Sequence, residues 1–169
     1  HELPTVSLLL VEALLNFLTQ PHPNVEQAVQ QGFGSEAARR KFSRSHEKTS
    51  LGEFFANQFF IYMLFGHYAA AAKSLENATI YRDSLLAMHY IPLLNFYESL
   101  LILVSNNHKK TGQVKKNQKA LKKWAKHAPA NFLHKWHLIE AEKARRLNKP
   151  YLARKHYDQA IQCAQQNQY

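Results

Sequence analysis

Apolar positions recur at three- and four-residue intervals through most of the chain, the spacing of helices rather than of strands. The cleanest stretch runs from Val114 to Ala128. At 100° per residue, Val114, Asn117, Leu121, Trp124 and Ala128 share an arc about 80° wide, with Ala120 and Ala125 on its flanks. Lys115, Lys116, Lys119, Lys122, Lys123 and Lys126 fill the opposite arc, about 120° wide, and no carboxylate interrupts them. One face is built to pack and the other to stay wet and positive.

Capping and breaking residues divide the remainder. Helices are expected over 5–19, closed by Gln20-Pro21-His22-Pro23, over 25–31, stopped by Gly32-Phe33-Gly34, and over 35–45 behind Ser35. Ser50 caps a helix over 51–65 that is rich in phenylalanine, and Gly66 breaks it before the next, over 67–81. Pro92 suits the first turn of a helix through Val104. Residues 105–112 read as an exposed loop before the lysine helix. Asn131 is expected to cap a helix over 132–147, within which Glu142 and Arg146 stand at i,i+4. Asn148-Lys149-Pro150 is a tight turn, and a last helix covers 151–166. The fold class is therefore all-α, with consecutive helices paired as antiparallel hairpins. Residues 1–49 form N-terminal helices that cap or pack on an array over 50–169, in one structural unit.

Composition agrees with helices and locates the charge. There are five glycines and six prolines in 169 residues, and the net charge is +10. Eight lysines and no acids lie between Lys109 and Lys126, and a smaller basic cluster joins Arg39, Arg40, Lys41 and Arg44. Such a surface fits an acidic partner, nucleic acid included, or simply a solvated back. Cys163 is the single cysteine, so no intrachain disulfide forms and a reducing, cytoplasmic compartment fits. The apolar run 6–18 is too short for a membrane span. The start at His1-Glu2-Leu3-Pro4 suggests a piece of a longer protein, with Tyr169 a truncation point inside the array.

Little chemistry of catalysis is visible. Gly32-x-Gly34 lacks a third glycine and a preceding strand, so it is no phosphate loop. Ten histidines raise the question of a metal, with His134 and His137 at i,i+3 and His127 and Glu140 nearby. Zinc needs three or four ligands on one point, and packed, hydrogen-bonded histidines explain the set as well. Cys163 falls between Ala160 and Ala164 on a face expected to be buried, where a thiol is inert. No catalytic residue, cofactor or metal is assigned.

Three second-helix stretches follow the small–large–small spacing of tetratricopeptide repeats: Ala71-Leu75-Ala78, then Ala120-Trp124-His127 in two of three positions, and Ala153-Tyr157-Ala160 fully. The last two are 33 residues apart, close to that family's period. With Tyr62 to Tyr68, Ile91 to Leu100, Trp124 to Lys135, Glu140 to Arg145 and Tyr157 to Ile161, the chain resembles the tetratricopeptide-like helical region of large bacterial signalling kinases, common in cyanobacteria. Those proteins join a serine/threonine kinase-like domain, an ATPase domain, the helical region, a GAF sensor and a histidine kinase. The family's usual Gly-x-Tyr at the last hairpin is replaced by Asn148-Lys149-Pro150.

The resemblance implies a degenerate superhelix and a non-catalytic regulatory or scaffold module, working through a protein partner or neighbouring domains. Polar first-helix positions next to apolar ones make Asn57, Gln58, Asn95, Glu98, His134, His137 and Glu140 the candidate contact residues, all expected to be exposed. The alternative is a basic module that binds nucleic acid or another acidic partner through 109–126.

Overall fold

The computed structural model describes residues 48–86, 90–105 and 107–169. The helices expected over 5–19, 25–31 and 35–45, with the Arg39-Arg40-Lys41-Arg44 cluster, lie outside the described residues. What is described is all-α: α1 (Lys48–Leu64), α2 (Tyr68–Ile80), α3 (Tyr90–Val104), α4 (Thr111–His127), α5 (Pro129–Arg146) and α6 (Pro150–Gln166), with 3-10 turns at Arg82–Leu85 and His108–Lys110. No described helix is long and apolar enough to cross a membrane. The described chain divides into two compact units, one ending at Ile91 and the other running Pro92–Tyr169.

In the first unit, α1 and α2 form an antiparallel hairpin. Contacts step outward from the turn: Tyr62 meets His67, Ser74 Oγ donates to Gln58 Oε1 (2.9 Å), and Phe55 stacks on Tyr81. The turn is set by Gly66, whose φ of +75° is the left-handed conformation that costs glycine least. Around it the His67 amide donates to the Tyr62 carbonyl (2.9 Å) and the Gly66 amide to the Met63 carbonyl (3.3 Å). These paired bonds satisfy the last carbonyls of α1 and end it sharply. Ala56, Phe59, Ala71 and Ala78 are fully buried. At Gly52 a Cβ would sit 3.1 Å from both Leu85 Cγ and Tyr81 Cβ, so the absent side chain is what lets the segment after α2 close over α1.

In the second unit, Phe96, Ile102 and Leu103 of α3, Val114 and Leu121 of α4 and Ile139 of α5 form one apolar cluster, flanked by Trp124, Trp136 and Leu138. Pro129 and Pro150 each take the first position of a helix, where a missing amide hydrogen costs nothing. Asn131 therefore lies inside α5 rather than capping it. The expected loop at 105–112 is also shorter than that span, because the 3-10 turn and the first residues of α4 use its end.

Asn148 closes α5 by the geometry that Gly66 gives α1. Its φ is +53°, the Lys149 amide donates to the Ala144 carbonyl (3.0 Å) and the Asn148 amide to the Arg145 carbonyl (3.1 Å). Asparagine is one of the few side chains that tolerate this conformation. Glu142 pairs with Arg145 at i,i+3 (2.7 Å) instead of Arg146, whose guanidinium donates to the Ile102 carbonyl of α3 (3.3 Å).

Of the three small–large–small sets, Ala71-Leu75-Ala78 is buried throughout, and Ala153 and Ala160 are buried around a half-buried Tyr157. The α4 set is displaced. Asn117, Gln118, Leu121 and Ala125 are buried, Ala120 and Trp124 are half-buried, and His127 is exposed.

Candidate functional site

The candidate contact residues fall in both units, and the structure places them differently from the exposed set that was expected. Asn57 is 4% exposed and Asn95 is 5% exposed, so neither offers an open contact. Asn57 Nδ2 donates to the Tyr90 hydroxyl (3.0 Å) inside the first unit, where the amide meets the polar edge of an otherwise apolar residue. Asn95 lies one turn before Ser99, whose hydroxyl donates to its carbonyl (2.7 Å). Gln58 is half-buried and holds Ser74.

Glu98 belongs to a polar ladder inside the second unit. Asn117 Nδ2 donates to Glu98 Oε2 (2.9 Å) and to Ser99 Oγ (3.2 Å), and Gln113 Nε2 donates to Glu98 Oε2 (3.3 Å) and to Asn117 Oδ1 (3.0 Å). At the next residue of α4, buried Gln118 donates through Nε2 to Glu140 Oε1 (2.7 Å) and to the Trp136 carbonyl (3.1 Å). These bonds fix the register of α4 against α3 and α5. Burial raises the affinity of the Glu140 carboxyl for a proton, but hydrogen bonds from Lys143 and Gln118 and the Lys143 charge outweigh it, and the carboxyl ends below the usual range.

His134, His137 and Glu140 are the residues that come together, at three-residue steps along one side of α5. Across the hairpin, His137 Nδ1 lies 3.0 Å from His156 Nδ1. The ring centroids are 5.3 Å apart, longer than the nitrogen separation by about two centre-to-nitrogen radii, so the nitrogens lie near the line joining the rings. That is the geometry of one N–H···N hydrogen bond: one ring must carry its proton on Nδ1 and the other must accept. A shared metal would need both lone pairs turned off that line, and among the described residues no group of three or more ligands could hold an ion. Burial and the neighbouring His156 lower the proton affinity of His137, with Glu140 opposing them.

Toward the chain end, the Tyr169 ring lies 4.7 Å from that of His134 and beneath the Lys135 ammonium (4.9 Å), and its hydroxyl donates to Asn131 Oδ1 (3.0 Å). Tyr157 donates its hydroxyl to Glu142 as a second brace between α5 and α6. Cys163, expected to be buried, is half-buried.

On the other face of α4, all six lysines are exposed as their arc predicts, with Lys109 and Lys110 beside them. Only Lys122 turns back, its ammonium 5.8 Å from the Trp136 ring. Trp124 stays on the packing side against Phe132 (6.0 Å).

The residues that periodicity missed are His156, Gln118 and Tyr169, each of which acts across a hairpin rather than along its own helix. Reflection of His137 about the Asn148 turn lands near His156, which was a usable signal. No family model, curated protein or solved structure matches the chain.

Proposed function

We propose that the chain is a non-catalytic helix-hairpin module of tetratricopeptide-like kind, from a multidomain cytoplasmic signalling kinase, that works through contacts with a protein partner or with neighbouring domains. The observation that carries this reading is the side of α5. There His134, Lys135, Trp136, His137 and Glu140 are only half-buried, yet each is held by a neighbouring side chain, so a polar and aromatic surface is presented in fixed conformations. Pre-set side chains lower the ordering cost of binding. The acids of the second unit support a structural rather than catalytic role, since Glu98, Glu140, Glu142 and Asp158 are all engaged by side chains of their own unit.

A photo-crosslinking residue placed at His134 in the full-length protein tests the proposal. Crosslinks to another domain or to a partner protein are expected, and they should weaken when His137 and Glu140 are changed to alanine. Crosslinks confined to α5 and α6, together with an unchanged signalling output of the His137→Ala plus Glu140→Ala protein, would overturn it.

A further inference from the structure

We propose that the exposed face of α4 docks on the phosphate backbone of double-stranded nucleic acid without reading its sequence. The charge of the chain is concentrated in the unit that carries this face. Residues 92–169 hold 15 basic and 4 acidic side chains, a net of +11, while residues 1–91 hold 7 and 8, a net of −1. The four acids are spent elsewhere. Glu98 is bound by Asn117 and Gln113, Glu140 by Gln118 and Lys143, Glu142 by Arg145 and Tyr157, and Asp158 faces Arg154 (3.9 Å). Among the described residues, no ion pair reaches a lysine of α4.

The shape of the face suits a long polyanion. Lys115, Lys119, Lys122 and Lys126 form a stripe at i, i+4, i+7 and i+11, with Lys116 and Lys123 alongside. The helix is 17 residues long, about 25 Å, and straight arrays of ammonium groups meet phosphates as point charges. Counterion release then drives binding.

Its chemistry separates the possible partners. A protein interface is normally anchored by aromatic or arginine side chains and is poor in lysine, whereas this face holds lysine without an exposed aromatic. A membrane-surface helix needs an apolar face free to insert, but Val114, Leu121 and Ala125 are buried in the unit's own core. Single strands are held by stacking on aromatics, and Trp124 is committed to Phe132. Backbone contact with a duplex asks for none of these.

The test is fluorescence anisotropy of a labelled 25-base-pair DNA duplex titrated with the whole chain between 20 and 200 mM salt. With about six phosphates neutralised, log K should fall against log salt with a slope of about −5, which is about a thousandfold between 50 and 200 mM. Lys119→Glu with Lys123→Glu should weaken binding at 50 mM at least tenfold and flatten the slope by about 2, with tryptophan fluorescence and helix content unchanged. Lys119→Gln with Lys123→Gln gives the same reading with a smaller loss if the reversal variant does not fold. Four outcomes overturn the proposal: no duplex binding at 20 mM salt, wild-type binding by both variants, tighter binding of single strands, or stronger binding of polyglutamate or anionic phosphatidylserine vesicles than of duplex.

Discussion

The two units close their helices by different means. Around α1 and α2, burial is apolar and aromatic, with Phe54, Phe59, Leu85 and three alanines sealed from solvent and few polar side chains among them. Around α3 to α6, the apolar cluster is interleaved with Glu98, Ser99, Asn117 and Gln118, and hydrogen bonds between helices set the register. Shape dominates the first hairpin, with the Ser74–Gln58 bond the polar link between its helices. The second unit adds directional bonds, which hold their partners at fixed heights along each helix and leave the outer faces of α4 and α6 free to be polar and charged. A unit whose register is fixed from within can carry +11 outside.

The largest way to break this contrast is a cavity. Phe59→Ala should destabilise the first unit by about 3–5 kcal/mol, because a fully buried aromatic is lost and a cavity is left in its place. Urea unfolding followed by circular dichroism measures it. A cost under about 1 kcal/mol would mean that aromatic packing does not hold the first hairpin.

Next in size is the ladder. Asn117→Ala removes donors from Glu98 and Ser99 and an acceptor from Gln113, and should cost about 2–3 kcal/mol, since three hydrogen bonds of the ladder are lost and one of them goes to a carboxylate. Asn57→Ala removes a single bond to Tyr90 and should cost about 1 kcal/mol. Both tryptophans lie in the second unit, so their fluorescence follows the Asn117 change directly. Equal costs for the two asparagines would erase the distinction between the units.

How much of this was legible follows from what a single helix can tell. The 3.6-residue period placed the lysines of α4 outward and Leu121 inward, and both hold. Asn117 stands in the same apolar arc, and its burial follows the period as well. The identity of its partner was not legible, because Glu98 lies on another helix and its height against α4 depends on the connection between them. Polar first-helix positions beside apolar ones predict Asn57 and Asn95 to be open, but the buried hydroxyl of Tyr90 gives the Asn57 amide a partner inside the unit. The Asn131 side chain suits a cap, yet Pro129 starts the helix earlier.

Acid should probe the second unit through its histidines. Burial lowers the proton affinity of His134 and His137 in the folded chain below the ordinary histidine value, with the Lys135 and His156 charges respectively adding to it. The unfolded chain then binds more protons, so stability is complete above about pH 6.5 and is lost as pH falls through the folded values. Tryptophan-detected Tm should drop between pH 7.5 and 5, and His137→Asn should flatten that dependence. Glu140, whose carboxyl is held low, contributes a separate loss below its ordinary range. A Tm that rises on acidification to pH 5 would contradict this reading of the histidines.

The smallest effect bears on the one feature both units share. Gly66 and Asn148 end their helices with the same positive φ and the same paired carbonyl bonds, although one has no side chain and the other has an amide. If backbone conformation alone decides these turns, Gly66→Asn and Asn148→Gly should each change stability by only about 0.5 kcal/mol, the first as a loss and the second as a gain. Alanine at either site has neither glycine's freedom nor asparagine's local hydrogen bonding, and should cost about 1–2 kcal/mol. Matched values at the two positions, read by thermal unfolding, would mean that the turns are interchangeable and that the difference between the units lies wholly in how their helices are packed. A large cost for Gly66→Asn alone would place part of that difference in the backbone of the turn itself, since a Cβ at Gly66 has no neighbour within 4 Å.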